Sequence, residues 1–393
     1  MSKGLRLFLI ISAMTGLALG LSDAVFANYF KEAYGVNAAQ RGFIEFPREL
    51  PGVLTMVFLA GLSFLGNIRS AIVAQCLSVA ALVVLGLFTP SFEVMLVFLF
   101  LFSSGMHMYM PLGDSIGLSL ADENSAGKVL GQAGGVRMAF TCGAGIITFV
   151  GFRFGWFSFD NPITVFLLAA ACFIAIAVLL ARLRRETRAV STPKARLVFR
   201  RAYLRYYIVC ALFGGRKQIM IVYSPWVLIE LLDFRADTMS ILAVIGALVG
   251  IFFMPRVGKW IDRFGARKVM MAEALAFIAI YTAYGFLSKG LADGTLLVSG
   301  AAFILVYLLN VVDRMTAQFG MVRTIYMRSI AIKPEDVTPS LSMGMGIDHI
   351  VAIGGSALCG IIWYNWGPEF VFIIAGALSL GNLLVARGIE KKI

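Results

Sequence analysis

The sequence predicts an all-α membrane protein of twelve transmembrane helices in two pseudo-symmetric six-helix bundles. Three observations predict it: twelve apolar stretches long enough to cross a bilayer, their division six and six by a basic linker, and a weak internal repeat. A hydrocarbon core accepts only structures that pair their backbone groups internally. Spans of about 20 apolar residues choose helices over strands. Hydrophobic residues make up 60% and charged residues 14% of the 393 positions, against roughly 25% charged in soluble domains. The mean hydropathy is +0.86.

In order, the spans read as 6–30, 41–64, 70–89, 93–119, 128–151, 162–182, 205–230, 237–256, 267–288, 295–326, 340–364 and 369–388. The first opens like a secretion signal, with Lys3 and Arg6 ahead of an apolar run. Its hydrophobic character continues to Phe30, too far for a signal core, so it reads as a membrane helix. The bundles are expected at 1–182 and 205–393, joined by a linker at 183–204. In and beside that linker lie Arg182, Arg184, Arg185, Arg188, Lys194, Arg196, Arg200, Arg201 and Arg205.

Lysine and arginine collect on the cytoplasmic side of membrane proteins. The linker, the 256–268 loop, the 323–333 segment and Arg387, Lys391 and Lys392 all fall on one side. The opposite loops 90–93, 155–161 and 289–294 are nearly free of basic residues. Linker and both termini are therefore expected in the cytoplasm, on a multi-pass protein of the cytoplasmic membrane. This asymmetry also explains the formal charge of +12 without nucleic acid, and no zinc-finger, helix-turn-helix or RNA-binding signature accompanies the basic residues. Cys76, Cys142, Cys172, Cys210 and Cys359 all sit in apolar stretches with no CxxC pair, as small buried hydrophobes do.

The repeat supports two related halves. An offset of 211 lays Leu130–Arg137 over Leu341–Asp348, and an offset of 197 lays Gly61 over Gly258. The fifth span then corresponds to the eleventh, and the second to the eighth.

The segment after the eighth span reads Gly258-Lys-Trp-Ile-Asp262-Arg263-Phe-Gly265-Ala-Arg267-Lys268. It resembles the G-x-x-x-D-R-x-G-R-[RK] loop of the major facilitator superfamily. With the helix count, the linker and the repeat, the likeness covers the whole chain. The resemblance implies a major facilitator fold and secondary transport. It also implies a cytoplasmic gate of Gly258, Asp262, Arg263, Gly265 and Arg267, with Asp262 approaching the start of the fifth helix near Gly127–Val129. Unpaired N–H groups there favour an anion. The first-half copy, Gly61-Leu-Ser-Phe-Leu65-Gly66-Asn67-Ile68-Arg69, is shorter and lacks the Asp, implying a lopsided latch. The fifth span also lacks the proline-bearing glycine pattern associated with antiporters, which speaks against drug–proton exchange.

Gly127, Gly131 and Gly135 recur every four residues on the fifth span. Small residues at that spacing let membrane helices approach closely, so this stripe is expected to meet the eighth helix.

Charged residues interrupt several spans. Each would cost about 2.5–3.5 kcal/mol at a lipid-facing helix centre, so they are expected to face one another or a wet cavity. They are Asp23, Glu45, Arg48, Glu49, Asp114, Arg137, Arg216, Lys217, Glu273, Asp313, Arg314 and Asp348, joined by His107 and His349. The Glu45, Arg48 and Glu49 cluster, beside Pro47 and Pro51, reads as a structural cluster or outer gate, and Glu273 as structural. Arg137, Arg216, Lys217, Gln218, His107, Asn310 and Asp313 are the expected substrate-binding residues. Their basic members favour an anionic group, since arginine binds a carboxylate through two parallel hydrogen bonds, while Gln132, Gln218, Asn310 and Gln318 would suit a neutral polyol. Asp23, Asp348 and His107 are the expected proton carriers, because opposite charges in low dielectric move such groups into the working range.

Met106, Met108, Met110 and His107, with Met343, Met345 and His349, resemble a Cu(I) ligand set. Alternating residues on a helix diverge, however, and methionine is common filler. A membrane-embedded enzyme would need a GxSxG, HExxH or clustered-Asp motif, a sensor an appended domain, and an ATPase a phosphate loop; none is present. The expectation is a monomeric secondary transporter for a small polar, anionic solute, coupled to protons in symport, with multidrug or metabolite efflux by antiport as the rival. It is expected to need no enzymatic activity, cofactor or metal, and to have the bilayer, its solute and protons as partners.

Overall fold

The computed structural model describes residues 2–120, 126–186, 199–296, 300–316, 320–333 and 336–389. Among them there is no strand. Thirteen α-helices follow in order: α1 Lys3–Tyr34, α2 Ala38–Gly61, α3 Asn67–Leu87, α4 Phe92–Ser119, α5 Ala126–Arg153, α6 Thr164–Glu186 and α7 Leu204–Trp226. Then come α8 Ala236–Phe264, α9 Ala266–Ala292, α10 Ala301–Thr316, α11 Gly320–Ile330, α12 Val337–Trp366 and α13 Pro368–Arg387. Eight are long and apolar enough to cross a membrane. α2 and α7 are of similar length but carry Arg41, Glu45, Arg48 and Glu49, and Arg216, Lys217 and Gln218, respectively. The expected tenth span, 295–326, overlaps both α10 and α11, with 317–319 outside the described residues.

One expectation is corrected at the basic loop. The expected loop at 256–268 is almost entirely helical: α8 continues to Phe264 and α9 begins at Ala266. Gly265 alone turns the chain, at φ 80 and ψ 155, a region open essentially to glycine. Gly66 makes the same turn ahead of α3, at φ 73 and ψ 164. The elbow is thus common to both halves although the acidic residue is not.

By contact density the chain forms two compact units. The first comprises Met1–Gly35, Pro47–Lys194 and Arg235–Val244; the second comprises Val36–Phe46, Ala195–Phe234 and Ile245–Ile393. The same helix pairings recur in each. α1 packs on α5 and α6, and α3 on α4 and α6; likewise α7 packs on α12 and α13, and α9 on α10 and α13. α5 and α12 begin at Ala126 and Val337, the separation of 211 that the repeat requires.

Interiors are aromatic. In the first unit Phe26 stacks near Phe102 and Phe166, at 5.2 and 5.0 Å between centroids. In the second, Tyr284 lies 5.0 Å from Phe372. Cys172, Cys210 and Cys359 are buried, whereas Cys76 is exposed and Cys142 half-buried. The reading of all five as buried therefore fails at Cys76, which sits on an outward face of α3.

The close-packed glycines are not those of the expected stripe. A Cβ on Gly131 or Gly135 would meet open space; the side chains at 127 and 128 lie outside the described residues. α5 instead closes on α1, where a Cβ on Gly16 would strike the Arg137 backbone and one on Gly20 would meet Thr141 and Ala144. Thr141 Oγ1 donates to the Gly16 carbonyl at 3.2 Å. α5 also approaches the first turns of α8, at Gly145 against Val244. Gly16 and Gly20 are one helical turn apart, the spacing that permits backbones to touch.

Candidate functional site

The α1–α5 contact positions the chemistry of the first unit. Arg137 is the twelfth residue of α5, so its Cα lies about 17 Å from the start of a helix roughly 42 Å long. With its backbone against Gly16, its side chain enters a cavity of about 300 Å³. α1 contributes Phe8, Ser12, Thr15 and Leu19, and α3 contributes Gln75. α4 lines it with Gly105, Met106, Tyr109, Met110, Gly113 and Asp114; Leu130, Ala133 and Gly134 on α5 and Phe173 on α6 complete it. Among the described residues its only formal charges are Arg137 and Asp114, which interact electrostatically. Tyr109 hydrogen-bonds Thr15 and lies in the field of both. The result is one guanidinium, one carboxyl and several neutral hydrogen-bonding groups in an otherwise apolar pocket, suited to a small solute.

The second unit carries a half-open ion pair. Lys217 Nζ on α7 donates to Asp348 Oδ2 on α12 at 2.7 Å, with side chains 30% and 13% exposed. Gly214 makes the pair possible, because a Cβ there would collide with the Asp348 carboxylate. Among the described residues Asp348 Oδ1 has no hydrogen-bond partner.

Other expected site residues are placed elsewhere. Arg216 is 1% exposed. It donates to Glu273 Oε1 at 2.6 Å and lies 3.7 Å from the centroid of Phe277 on α9. Facing α9, Arg216 is held in a buried ion pair and is not among the residues that line the cavity. Gln218 is likewise buried: its Nε2 donates to Glu45 Oε2 at 2.8 Å, while Arg41 Nη1 holds Glu45 Oε1 at 2.5 Å. Asn310 is buried on α10 and donates to Ser224 Oγ, itself bonded to the Tyr284 hydroxyl. Asn310 and Gln218 thus serve internal networks. Asp313 is half-buried on α10, and Asp23 is exposed on α1; neither lines the cavity. His107 is half-buried on α4, with Nδ1 2.9 Å from the Ser103 carbonyl, beside the cavity-lining Met106.

At the expected gate, the side chain of Asp262 lies outside the described residues; elsewhere that of Arg314 does too. Arg263 is exposed, its guanidinium 5.2 Å from the centroid of Phe264. Arg267 Nη2 donates to the Arg387 carbonyl at 2.9 Å, and Arg205 Nη1 to the Gly388 carbonyl at 2.8 Å. Both cations therefore satisfy the C-terminal end of α13, where the helix dipole favours positive charge.

Sequence reasoning noted Asp114 without assigning it to the site, and passed over Thr15, Gln75 and Tyr109. The signal was present as periodicity. Residues 8, 12, 15 and 19 trace one face of α1, and 105, 106, 109, 110, 113 and 114 one face of α4.

The family model described as the Major Facilitator Superfamily matches residues 8–332. Among curated proteins, the chain is similar to an uncharacterized MFS-type transporter, YtbD, of Bacillus subtilis (strain 168). The two are 23% identical over 306 residues, 74% of this chain and 71% of that one. Among solved structures it is similar to a mutant of the nucleoside transporter NupG, with a TM-score of 0.78, 14% identity and coverage of 98% and 99%. A POT family transporter in complex with 5-aminolevulinic acid also gives 0.78 at 14% identity, covering 100% and 97%. A D-xylose-proton symporter gives 0.73 at 13% identity, covering 98% of each chain. At such identities the structural likeness is one of fold.

Proposed function

We propose, from the premise that this chain belongs to the major facilitator superfamily and is a multi-pass membrane transporter of that type, that it carries a small polar solute bearing an anionic group. The observation behind this reading is the cavity of about 300 Å³ in which Arg137 and Asp114 are the only charges among the described residues. Arg137 is the anchor for the anionic group, binding it through two parallel hydrogen bonds, and Tyr109, Thr15 and Gln75 hold its polar remainder. When the solute occupies Arg137, Asp114 loses its cationic neighbour and takes up a proton, which supplies the coupling. Lys217–Asp348 is a second coupling pair: protonating Asp348 releases Lys217. The protein works as a monomer in the cytoplasmic membrane, with both termini in the cytoplasm and the bundles 1–182 and 205–393 as its moving bodies.

Uptake into proteoliposomes, with and without an imposed proton gradient, tests the reading once a thermal-shift screen has identified a binding solute. Arg137→Ala weakens binding roughly 10- to 150-fold, as expected when a charge-assisted contact of about 1.5–3 kcal/mol is lost. Asp348→Asn leaves binding intact but removes the dependence on the gradient. Transport unchanged in both variants would refute both roles.

A further inference from the structure

We infer that the second unit holds an anionic phospholipid headgroup in the cavity between the start of α7, the end of α11 and the chain after α13. That cavity has a volume of about 540 Å³ and is lined by Arg201, Ala202, Leu204, Arg205, Tyr326, Ser329, Ile330 and Ile389. Among the described residues two arginines line it and no acidic side chain does. Arg205 spends one guanidinium nitrogen on the Gly388 carbonyl, leaving other donors for an incoming oxyanion. Both arginines are exposed.

Position distinguishes this basic site from the rest of the basic surface. Arg201, Leu204, Arg205 and Ile208 share one face at the spacing of neighbouring helical turns. Leu204 is 45% and Ile208 39% exposed. The arginines stand where α7 enters its apolar span, and the aliphatic side chains continue into the span. Such a face takes a headgroup at one end and an acyl chain along the other. A diffusible phosphate would use the arginines but has no need of the aliphatic path. Basic pockets between membrane helices at the cytoplasmic surface are suited to acidic lipids.

Intact-protein mass spectrometry of the purified full chain, in detergent with added phosphatidylglycerol or phosphatidylcholine, tests the proposal. The expected result is one tightly retained phosphatidylglycerol and no comparable phosphatidylcholine adduct. Arg201→Gln/Arg205→Gln should weaken retention about thirtyfold, as two interfacial cations would. Arg201→Lys/Arg205→Lys should keep most of the preference, and Arg184→Gln, on exposed α6, all of it. The charge-retaining variant separates loss of the site from failure to fold. Equal retention of both lipids, unchanged retention in the double Gln variant, or displacement of the lipid by inorganic phosphate alone would overturn the assignment.

Discussion

The buried pair at Arg216 leads to a quantitative prediction. Arg216 and Glu273 are 1% and 9% exposed in their side chains and 2.6 Å apart. Glu273→Gln would leave a guanidinium buried with one weak neutral partner, its Nε and Nη1 already lacking hydrogen bonds. Removing one partner of such a pair costs about 3–5 kcal/mol. The stack on Phe277, worth about 2 kcal/mol at a desolvated site, is present before and after the substitution and so offsets none of that loss. Arg216→Met/Glu273→Met removes both charges, and comparable replacements of buried pairs are often neutral or stabilising by roughly 1–4 kcal/mol. Equilibrium unfolding of wild type, Arg216→Met, Glu273→Met and the double variant in mixed micelles gives the double-mutant cycle. The singles are expected to fall well below wild type and the double close to it, with solute affinity in the double unchanged. Singles within about 0.5 kcal/mol of wild type, or a double showing the sum of the two losses, would refute the structural assignment. Loss of solute affinity in a well-folded double would return Arg216 to the binding site.

The glycine contacts and the surface pair provide two further tests. Gly16→Leu forces α1 off α5 at Arg137, with an expected cost of about 1–3 kcal/mol from overpacking and a matching loss of transport, whereas Gly131→Ala, opening onto free space, should hold stability within about 1 kcal/mol or improve it; thermal unfolding compares them, and equal losses would contradict the packing. The Arg200 guanidinium beside Asp336 holds that carboxyl below the ordinary carboxylate range, with Tyr203 also donating to it. The pair therefore contributes stability above the unfolded value of about 3.9 that is lost as pH falls through the lower folded value, so Asp336→Asn should flatten the acid limb of a melting-temperature profile, and an unaltered limb would refute the pairing.

Helix existence was legible because bilayer thickness imposes length and the backbone imposes helicity, both written directly into runs such as 162–182. Helix ends were less legible. Nothing in the composition of 256–264, basic and punctuated by glycine, distinguishes a loop from the projecting last turns of α8. Among the charges, sequence could state that Arg137, Arg216 and Lys217 needed partners but not which face each takes. Arg216 and Lys217 are adjacent, so a rotation of about 100° separates a pair sealed against α9 from one half-open toward α12. The cavity itself depended on close contact at Gly16 and Gly20, two residues whose importance lies in having no side chain to read. The Lys217–Asp348 pair depended on Gly214 in the same way.

The matched turns at Gly66 and Gly265 bear on how the two halves have drifted apart. A backbone held near φ 73–80 and ψ 155–164 admits few replacements, so natural variation around it is channelled into the flanking charges. The acidic residue absent from the first copy could therefore disappear without opening the angle between α2 and α3, just as a door keeps its swing after its lock is removed. Relatives of this chain are accordingly expected to preserve glycine at both turns while exchanging the polar residues beside them.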